Sequence, residues 1–303
     1  MNAKTKVKLK NNLIGYALLT PFLIGLIFFT IYPLGLALFQ SFFRDYNPLD
    51  GFDRAAFGLD NYKRALTDKW VLDSMKLTLT YAVITIPMNL VVSFFLSYLL
   101  TRGLKGSKAF RIIVYLPALI PGVVGASIYK YIFNSNDYGL LNSILISMNK
   151  TPSKFLEAKE QAVALWSFIA TGFFSFGCSS PMWIAGFNSV QKDVYEAAML
   201  DGSTAANTLF KITIPLMGKF IFFQLLGSLI GALQIGESVL MLSPGGGYNG
   251  NLNFYGLMIY NQTTGSGGFN YGFASALSYL LFIVIGALSA VTFRANKKIY
   301  YED

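Results

Sequence analysis

Histidine is absent from this chain, and cysteine occurs once, at Cys178. The lack of histidine removes the commonest general base, the commonest metal ligand and the usual catalytic triads. A single cysteine excludes a disulfide framework and a cysteine-based metal site. The chain also lacks the Gly-x-x-x-x-Gly-Lys-Ser/Thr sequence that binds nucleotide phosphates. We therefore expect no catalytic residue, no metal site and no cofactor on this chain.

Charged residues are scarce as well, at 13% of the chain against 54% hydrophobic residues. A soluble domain of ordinary composition carries about 25% charged residues. The apolar residues form long unbroken blocks, which is typical of membrane-spanning helices. The net charge of +9 does not indicate a nucleic-acid partner, because the basic residues form short clusters between the apolar blocks. An all-α integral membrane protein in a lipid bilayer is predicted.

Six apolar blocks have the length of about 20 residues that crosses the hydrocarbon core as a helix. The predicted spans cover approximately residues 13–39, 77–100, 112–133, 162–187, 220–242 and 271–293. Prolines fall inside several of them, so kinked helices are expected. No charge occurs between Lys10 and Arg44, so the first span is predicted to be retained and not cleaved as a signal peptide. We predict a single transmembrane domain over residues 1–303.

Lysine and arginine clusters orient these spans, because basic loops stay in the cytoplasm. The clusters precede the first span and follow the second, fourth and sixth: Lys4, Lys6, Lys8 and Lys10; Arg102, Lys105, Lys108 and Arg111; Lys192, Lys211 and Lys219; Arg294, Lys297 and Lys298. The opposite loops balance basic residues with acids or carry no charge. Both termini of this multi-pass protein are therefore predicted to be cytoplasmic.

The predicted cytoplasmic loop 190–219 is too long for a simple turn between two helices. Tyr195 to Leu200 contains good helix formers, and Asp201-Gly202 then provides a turn signal. A second helical piece is predicted from Ser203 to Lys211, with Ser203 as its capping residue. Pro215 is expected to break the chain before the fifth span. The loop is thus predicted to be two short helices with a sharp bend.

Small residues in this loop would let a partner approach the backbone closely. Ala197, Ala198 and Gly202 are small, and Glu196 would pair with a cation on that partner. An ordinary interfacial amphipathic helix is the alternative interpretation.

The loop resembles the coupling-loop signature of ABC importer permeases, which is Glu-Ala-Ala, three residues, Gly, nine residues and Ile-x-Leu-Pro. Here the signature stands as Glu196-Ala197-Ala198, Gly202 and Ile212-Thr213-Ile214-Pro215, with Ile214 in place of leucine. Stretches along nearly the whole chain are similar to the carbohydrate-uptake, maltose-type class: TPFLIGLIFFTIYPLGLALFQSFF, FGLDNYKRAL, FRIIVYLPALIPGVV, LQIGESVLMLSPGGG and YGFASALSYLLF. Departures from the class are Gly236, where Phe is usual, and Gln191-Lys192, where Ile-Pro is usual.

The resemblance implies the type I ABC importer permease fold, with six transmembrane helices and a cytoplasmic coupling-helix loop. It implies a bacterial inner or cytoplasmic membrane, two ATPase subunits that hold ATP and Mg, and an extracytoplasmic sugar-binding protein. It also implies a second permease subunit, for which the family precedent favours a different chain. By carry-over, the ATPase-coupling residues are Glu196, Ala197, Ala198, Asp201, Gly202 and Pro215.

The resemblance also implies that the sugar route runs between the fourth, fifth and sixth spans. On the fifth span, small and polar residues recur at helical spacing: Gln224, Gly227, Ser228, Gly231, Gln234 and Ser238. Amides and hydroxyls would bond sugar hydroxyls. The candidate pathway residues are Ser175, Gln224, Ser228, Gln234, Glu237, Ser238, Ser275 and Tyr279. The alternative is that the small residues serve helix packing.

Three interpretations of Glu237 stay open: a sugar-hydroxyl acceptor, a hydrogen-bond partner of the following glycine-rich loop, or a proton-coupling site. That loop, within 243–270, is either a flexible linker or a contact for the binding protein or the sugar. At the level of function, the sequence indicates a binding-protein-dependent sugar permease. The alternatives are a permease for another small solute such as a glycerol phosphate, or a secondary, ion-coupled transporter.

Overall fold

The computed structural model describes residues 3–53, 55–103, 106–264 and 269–300. The described chain is mainly helical, with α1 Ala3–Leu26, α2 Tyr32–Ser41, α3 Asp60–Thr67, α4 Lys69–Thr101, α5 Ser107–Leu119, α6 Gly122–Ile132, α7 Leu140–Ser147, α8 Gln161–Thr171, α9 Ser180–Ser189, α10 Lys192–Leu200, α11 Ala205–Asn207, α12 Ile214–Leu216, α13 Gly218–Leu233, α14 Glu237–Leu242, α15 Tyr255–Thr263 and α16 Tyr271–Tyr300. Five short 3-10 or π-helical segments are Ile27–Ile31, Phe155–Glu157, Phe173–Ser179, Thr208–Thr213 and Tyr248–Gly250. Among the described residues, the strands are one short antiparallel pair, β1 Phe43–Arg44 and β2 Ala56–Phe57. The predicted all-α class is confirmed.

Three helical stretches are long and apolar enough to cross a membrane, namely Ile14–Ser41, Lys69–Thr101 and Tyr271–Asn296. They coincide with the first, second and sixth predicted spans. Two bent helix pairs raise the candidate crossings in the described chain to five. One of them, Ala109–Leu119 with Gly122–Ile132, bends by 101°. The predicted span 112–133 therefore contains a sharp kink, of the kind that its prolines indicate, since extended backbone at Ile120 and Pro121 interrupts the helix.

The fourth predicted span, 162–187, is likewise divided. It consists of α8, the 3-10 segment Phe173–Ser179 and α9. Glycine has low helix propensity, and Gly172 and Gly177 lie at this division, whereas Pro181 suits the first turn of the new helix. A side chain at Gly177 would collide with the backbone of Val114, so the 3-10 segment lies directly against α5. The count of six crossings stays a prediction.

The chain forms two compact units, Met1–Asp68 with Asn261–Leu280 and Lys69–Tyr260 with Leu281–Asp303. In the first unit, the buried amide of Asn61 donates to the carbonyl oxygens of Ser41 at 3.0 Å and Phe43 at 3.1 Å. The hydroxyl of Tyr279 donates to the carbonyl oxygen of Leu34 at 2.6 Å. These bonds tie α3 and the start of α16 to the end of the first long helix.

The second unit contains two clusters of buried apolar side chains. The α8 cluster joins α4, α6, α8, α14 and the segment before α15: Leu77, Ala126, Leu156, Ala158, Ala164, Leu165, Phe168, Ile169, Val239, Leu242, Leu252, Phe254 and Leu257. The α9 cluster joins α4, α9 and the loop 190–219: Phe94, Trp183, Phe187, Val190, Leu209 and Met217. Buried apolar surface on several helices at once fixes their packing.

Candidate functional site

A cavity of about 830 Å³ opens within the second unit. Its walls come from α4, α5, α6, α8, α13 and α14. The polar or charged side chains on the wall are Tyr81, Thr85, Asn89, Tyr129, Thr171, Ser179, Gln224, Ser228, Glu237 and Ser238. Isoleucines, glycines and Phe168 make up much of the remainder. Mixed apolar and polar walls of this size are typical of a small-molecule site.

The predicted polar face of the fifth span lies largely on this cavity. Gln224 and Ser228 of α13 line it, and so do the two glycines of the same face. The amide of Gln224 also donates to the carbonyl oxygen of Ser179 at 3.4 Å. Glu237 and Ser238 line the cavity from α14. Gln234 is not among the lining residues, because α13 ends at Leu233 and helical spacing does not continue past that point.

The other predicted pathway residues have different placements. The side chain of Ser175 lies outside the described residues. Ser275 is buried in the first unit. Tyr279, in the same unit, donates its hydroxyl to the first long helix. Among the described side chains, the cavity wall does not include Ser275 or Tyr279.

Glu237 is the one charged side chain that the described part of the chain places on the cavity wall. It is exposed at the first turn of α14. Among the residues that the structure describes, the Glu237 carboxylate accepts no hydrogen bond from the glycine-rich loop. A carboxylate that faces the cavity is available to accept hydrogen bonds from a ligand.

Residues of α4 are the part of the cavity that the sequence analysis missed. Tyr81, Thr85 and Asn89 follow one another at a spacing of four residues, and all three line the cavity. That spacing puts them on one helix face, within an otherwise apolar stretch. The hydroxyl of Thr85 donates to the carbonyl oxygen of Tyr81 at 2.8 Å, so its oxygen can still accept a hydrogen bond. The polar residues at every fourth position in 81–89 are the sequence signal for this wall.

The predicted turn at Asp201-Gly202 is confirmed as a glycine-capped helix end. The amide N–H of Gly202 donates to the carbonyl of Met199 at 3.1 Å, and that of Ser203 donates to Ala198 at 2.9 Å. Gly202 has φ of +73°, the left-handed conformation that this cap requires. The helix before it begins at Lys192, earlier than the predicted Tyr195.

The second helical piece of this loop, predicted from Ser203 to Lys211, differs from the prediction in two details. Its N-cap is Thr204 and not Ser203, since the hydroxyl oxygen of Thr204 accepts from the amide of Asn207 at 3.3 Å. The chain does not break at Pro215 itself, because this residue lies within the helical stretch Ala205–Leu216. The 71° bend between Ala205–Leu216 and Gly218–Leu233 falls at Met217.

The loop 190–219 has one anchored face and one open face. Val194, Tyr195 and Leu209 pack on or within the α9 cluster, and Ala198 is buried. The hydroxyl of Thr213 donates to that of Tyr195 at 3.3 Å, which joins the two short helices.

Most of the predicted coupling residues lie on the open face, since Glu196, Ala197, Asp201, Gly202 and Pro215 are exposed. Two large apolar side chains accompany them there. Met199 is 67% exposed and Leu200 is 89% exposed. An exposed apolar pair beside an acid is suited to contact with another protein.

The described part of the glycine-rich loop is packed into the fold. The side-chain amide of Asn251 donates to the carbonyls of Ala158 at 3.0 Å and Lys159 at 2.7 Å. Leu252 is fully buried, and the amide of Tyr255 donates to the hydroxyl of Thr78 at 2.9 Å. Burial raises the pKa of Tyr255 above its ordinary value, so its hydroxyl stays protonated. The flexible-linker interpretation is therefore wrong for residues 243–255.

Comparisons with known proteins agree with this architecture. Residues 95–297 match the family described as binding-protein-dependent transport system inner membrane component. The chain is 32% identical to a probable ABC transporter permease protein, YesP, of Bacillus subtilis over 97% of this chain and 94% of that one. It is 25% identical to a trehalose/maltose transport system permease protein, MalF, of Thermococcus litoralis over 98% of both chains.

Other similar proteins carry further names. An sn-glycerol-3-phosphate transport system permease protein, UgpA, of Agrobacterium fabrum is 26% identical over 96% of this chain and 97% of that one. Among solved structures, the fold is similar to a chain in the crystal structure of a bacterial alginate ABC transporter in complex with an alginate pentasaccharide-bound periplasmic protein. The TM-score is 0.80, with 21% identity and 97% of each chain covered. At this identity, the likeness concerns the fold alone.

Proposed function

Because this chain belongs to the family of binding-protein-dependent transport system inner membrane components, we propose that it is the permease subunit of an ATP-driven sugar or oligosaccharide importer. The cavity of the second unit is its substrate pathway. The loop 190–219 is the joint through which a separate ATPase moves the helices. The proposal rests on one observation: the second unit combines a polar cavity with an exposed face that carries Glu196 and Gly202.

The chemistry of the cavity favours a neutral, hydroxyl-rich ligand. Amides from Gln224 and Asn89 donate and accept hydrogen bonds, and the serine hydroxyls do the same. Tyrosine and phenylalanine rings provide apolar faces for the C–H faces of a sugar ring. No lysine or arginine lines the cavity in the described ranges, so a phosphate would find no cation there.

The energy source is expected on other chains. Two ATPase subunits would hold ATP and Mg, since this sequence has no phosphate-binding glycine-rich motif. Their docking site would be the open face that carries Glu196, Ala197, Met199 and Leu200. A second permease subunit, of different sequence, would complete the pathway within the bilayer. An extracytoplasmic sugar-binding protein would deliver the substrate. Both termini would lie in the cytoplasm of a bacterial cell.

A glycerol phosphate is the second candidate substrate. The name of the Agrobacterium fabrum relative favours it, at 26% identity. The absence of a cation from the described cavity wall weighs against it.

Uptake into proteoliposomes tests both the energy source and the substrate. The complete complex, with its ATPase subunits and binding protein, is supplied with radiolabelled maltose, a set of oligosaccharides, or glycerol phosphate. We expect ATP-dependent uptake of a sugar without an ion gradient. Uptake that follows an imposed proton or sodium gradient without ATP would instead identify a secondary transporter. Uptake of glycerol phosphate and of no sugar would establish the second candidate.

A further inference from the structure

Trp183 is the buried member of the chain's three tryptophans. It is 1% exposed, whereas Trp70 is 61% and Trp166 is 55% exposed. Its indole N–H donates to the hydroxyl oxygen of Ser93 at 2.8 Å, and Ser93 is also fully buried. The Ser93 hydroxyl in turn donates to the carbonyl oxygen of Asn89 at 2.5 Å. The indole of α9 is thus bonded to one specific turn of α4.

On one side, this bond lies next to the cavity. Asn89 lines the cavity one turn of α4 before Ser93. Ser179, which directly precedes α9, also lines it, and its carbonyl accepts from Gln224. Each end of the bond therefore has a cavity residue about one turn away, Asn89 on α4 and Ser179 directly before α9.

On the other side, the same indole lies in a buried cluster that includes residues of the loop 190–219. Trp183 belongs to the α9 cluster together with Leu209 and Met217. Met217 is fully buried at the 71° bend, and a side-chain carbon at Gly186 would lie 2.7 Å from its terminal methyl group. A displacement of the loop therefore reaches α9 through close contacts that leave no free space.

The bond constrains how α4 and α9 slide past each other. Apolar side chains in a membrane bundle pack by dispersion, which opposes a small slide only weakly. A buried indole N–H without an acceptor is costly, since neither water nor lipid replaces the lost bond there. The hydrogen bond therefore favours one register of the two helices.

We propose that the Trp183–Ser93 hydrogen bond makes α4 and α9 move as one piece, so that displacement of the loop 190–219 is transmitted to the cavity. Trp183 is a positioning residue, since it does not line the cavity and is not exposed to a partner. The inference rests on the proposed function, because a partner ATPase must move the loop.

The test compares sugar uptake with ATP hydrolysis in the reconstituted complex. Trp183→Phe keeps an aromatic ring in the α9 cluster and removes the N–H donor together with part of the indole volume. We expect sugar transported per ATP hydrolysed to fall by about threefold to tenfold, the range expected of one interhelical hydrogen bond in a membrane. The complex should still assemble, with a lower melting temperature from the lost ring volume. Trp166→Phe is the matched control at an exposed tryptophan, and its ratio should equal that of the wild type.

Ser93 provides an independent variant. Ser93→Ala leaves the indole N–H unpaired and should lower the same ratio, whereas Ser93→Thr keeps a hydroxyl and should restore most of it. The double variant Trp183→Phe/Ser93→Ala should have a transport ratio no lower than that of Ser93→Ala, because both changes remove the same bond.

An unchanged transport ratio in Trp183→Phe and Ser93→Ala would overturn the inference and leave the proposed function intact. If the wild-type complex showed no ATP-dependent uptake, that result would instead contradict the proposed function. A merely structural role would lower the yield and the melting temperature of both variants at an unchanged ratio.

Discussion

At the scale of single residues, the two cavity glycines of α13 distinguish a pathway from a packing face. Added side-chain carbons at Gly227 and Gly231 would meet nothing within 4 Å, so no helix in the described part of the chain packs closely on them. Both instead line the cavity. Among the described residues, these glycines therefore do not form a helix-packing face.

Gly231→Leu should fill part of the cavity and narrow its choice of substrate. We expect uptake of long oligosaccharides to fall more steeply than uptake of small sugars, with ATP hydrolysis still present. Competition uptake with sugars of increasing length measures this. Gly286→Leu is the matched control, since that glycine also has free space around it but lies in α16, away from the cavity. An equal loss for every sugar would argue against the cavity as the pathway.

The cap at Gly202 gives a second prediction at this scale. Gly202→Ala should destabilise the end of α10 by about 1 kcal/mol, because an alanine side chain is strained at positive φ. The exposed Glu196 face would then be presented less rigidly, and co-purification of the ATPase subunits should decline. Gly202→Asn should retain more of the partner, since asparagine tolerates this conformation. Equal retention by Ala and Asn would show that the cap geometry is irrelevant to docking.

The site could be predicted from sequence only where it follows a regular period. Gln224 and Ser228 were found because α13 is a continuous helix through them. Gln234 was placed on the same face by extending that period, but the helix ends one residue earlier. The α4 wall at Thr85 and Asn89 has a clear period of its own. The resemblance to the permease family, however, points only to the fourth to sixth spans, so it does not indicate this wall.

At the scale of elements, the prolines show how far the sequence alone predicts helix geometry. Pro21 and Pro87 lie inside continuous helices, whereas Pro117 and Pro121 flank a 101° bend. Each proline frees one carbonyl, and whether the helix continues depends on what else can satisfy or pack around that turn. Those neighbours are distant in sequence, so kinks were predictable and their angles were not.

The break between α13 and α14 depends on a close backbone approach. A side-chain carbon at Gly256 would lie 2.6 Å from the carbonyl oxygen of Ile235. Gly256→Ala should therefore lower the stability of the protein by about 1–3 kcal/mol, the usual range for overpacking. Thermal unfolding of the purified protein in detergent measures this. Gly227→Ala, in open space, should leave the melting temperature unchanged or raise it. A Gly256→Ala variant as stable as wild type would contradict the close approach.

At the scale of the whole molecule, the first long helix requires something beyond its own chain. The apolar stretch Ile14–Ser41 has none of its most hydrophobic window buried. An apolar surface of this size must be covered by lipid or by another subunit. Either covering agrees with a protein that works inside a bilayer and within a larger assembly.

The predicted orientation of the whole chain is testable with its single cysteine. Cys178→Ser gives a background in which one new thiol reports one position. Asp201→Cys should react with a membrane-impermeant maleimide only in inside-out vesicles, because basic loops place residues 190–219 in the cytoplasm. Asp50→Cys, in the loop after the first span, should react only in right-side-out vesicles or intact cells. The unaltered Cys178→Ser protein is the control for background labelling.

Labelling of Asp201→Cys from the outside would remove the basis for an ATPase joint at Glu196, because ATP is hydrolysed in the cytoplasm. The fold and the cavity would remain, but the exposed Met199 and Leu200 would then face the side of the binding protein. Labelling of both positions from one side would mean an even number of crossings between them. The three predicted spans between them, 77–100, 112–133 and 162–187, would then be miscounted, and the divided segments α5–α6 and α8–α9 are where that error would lie.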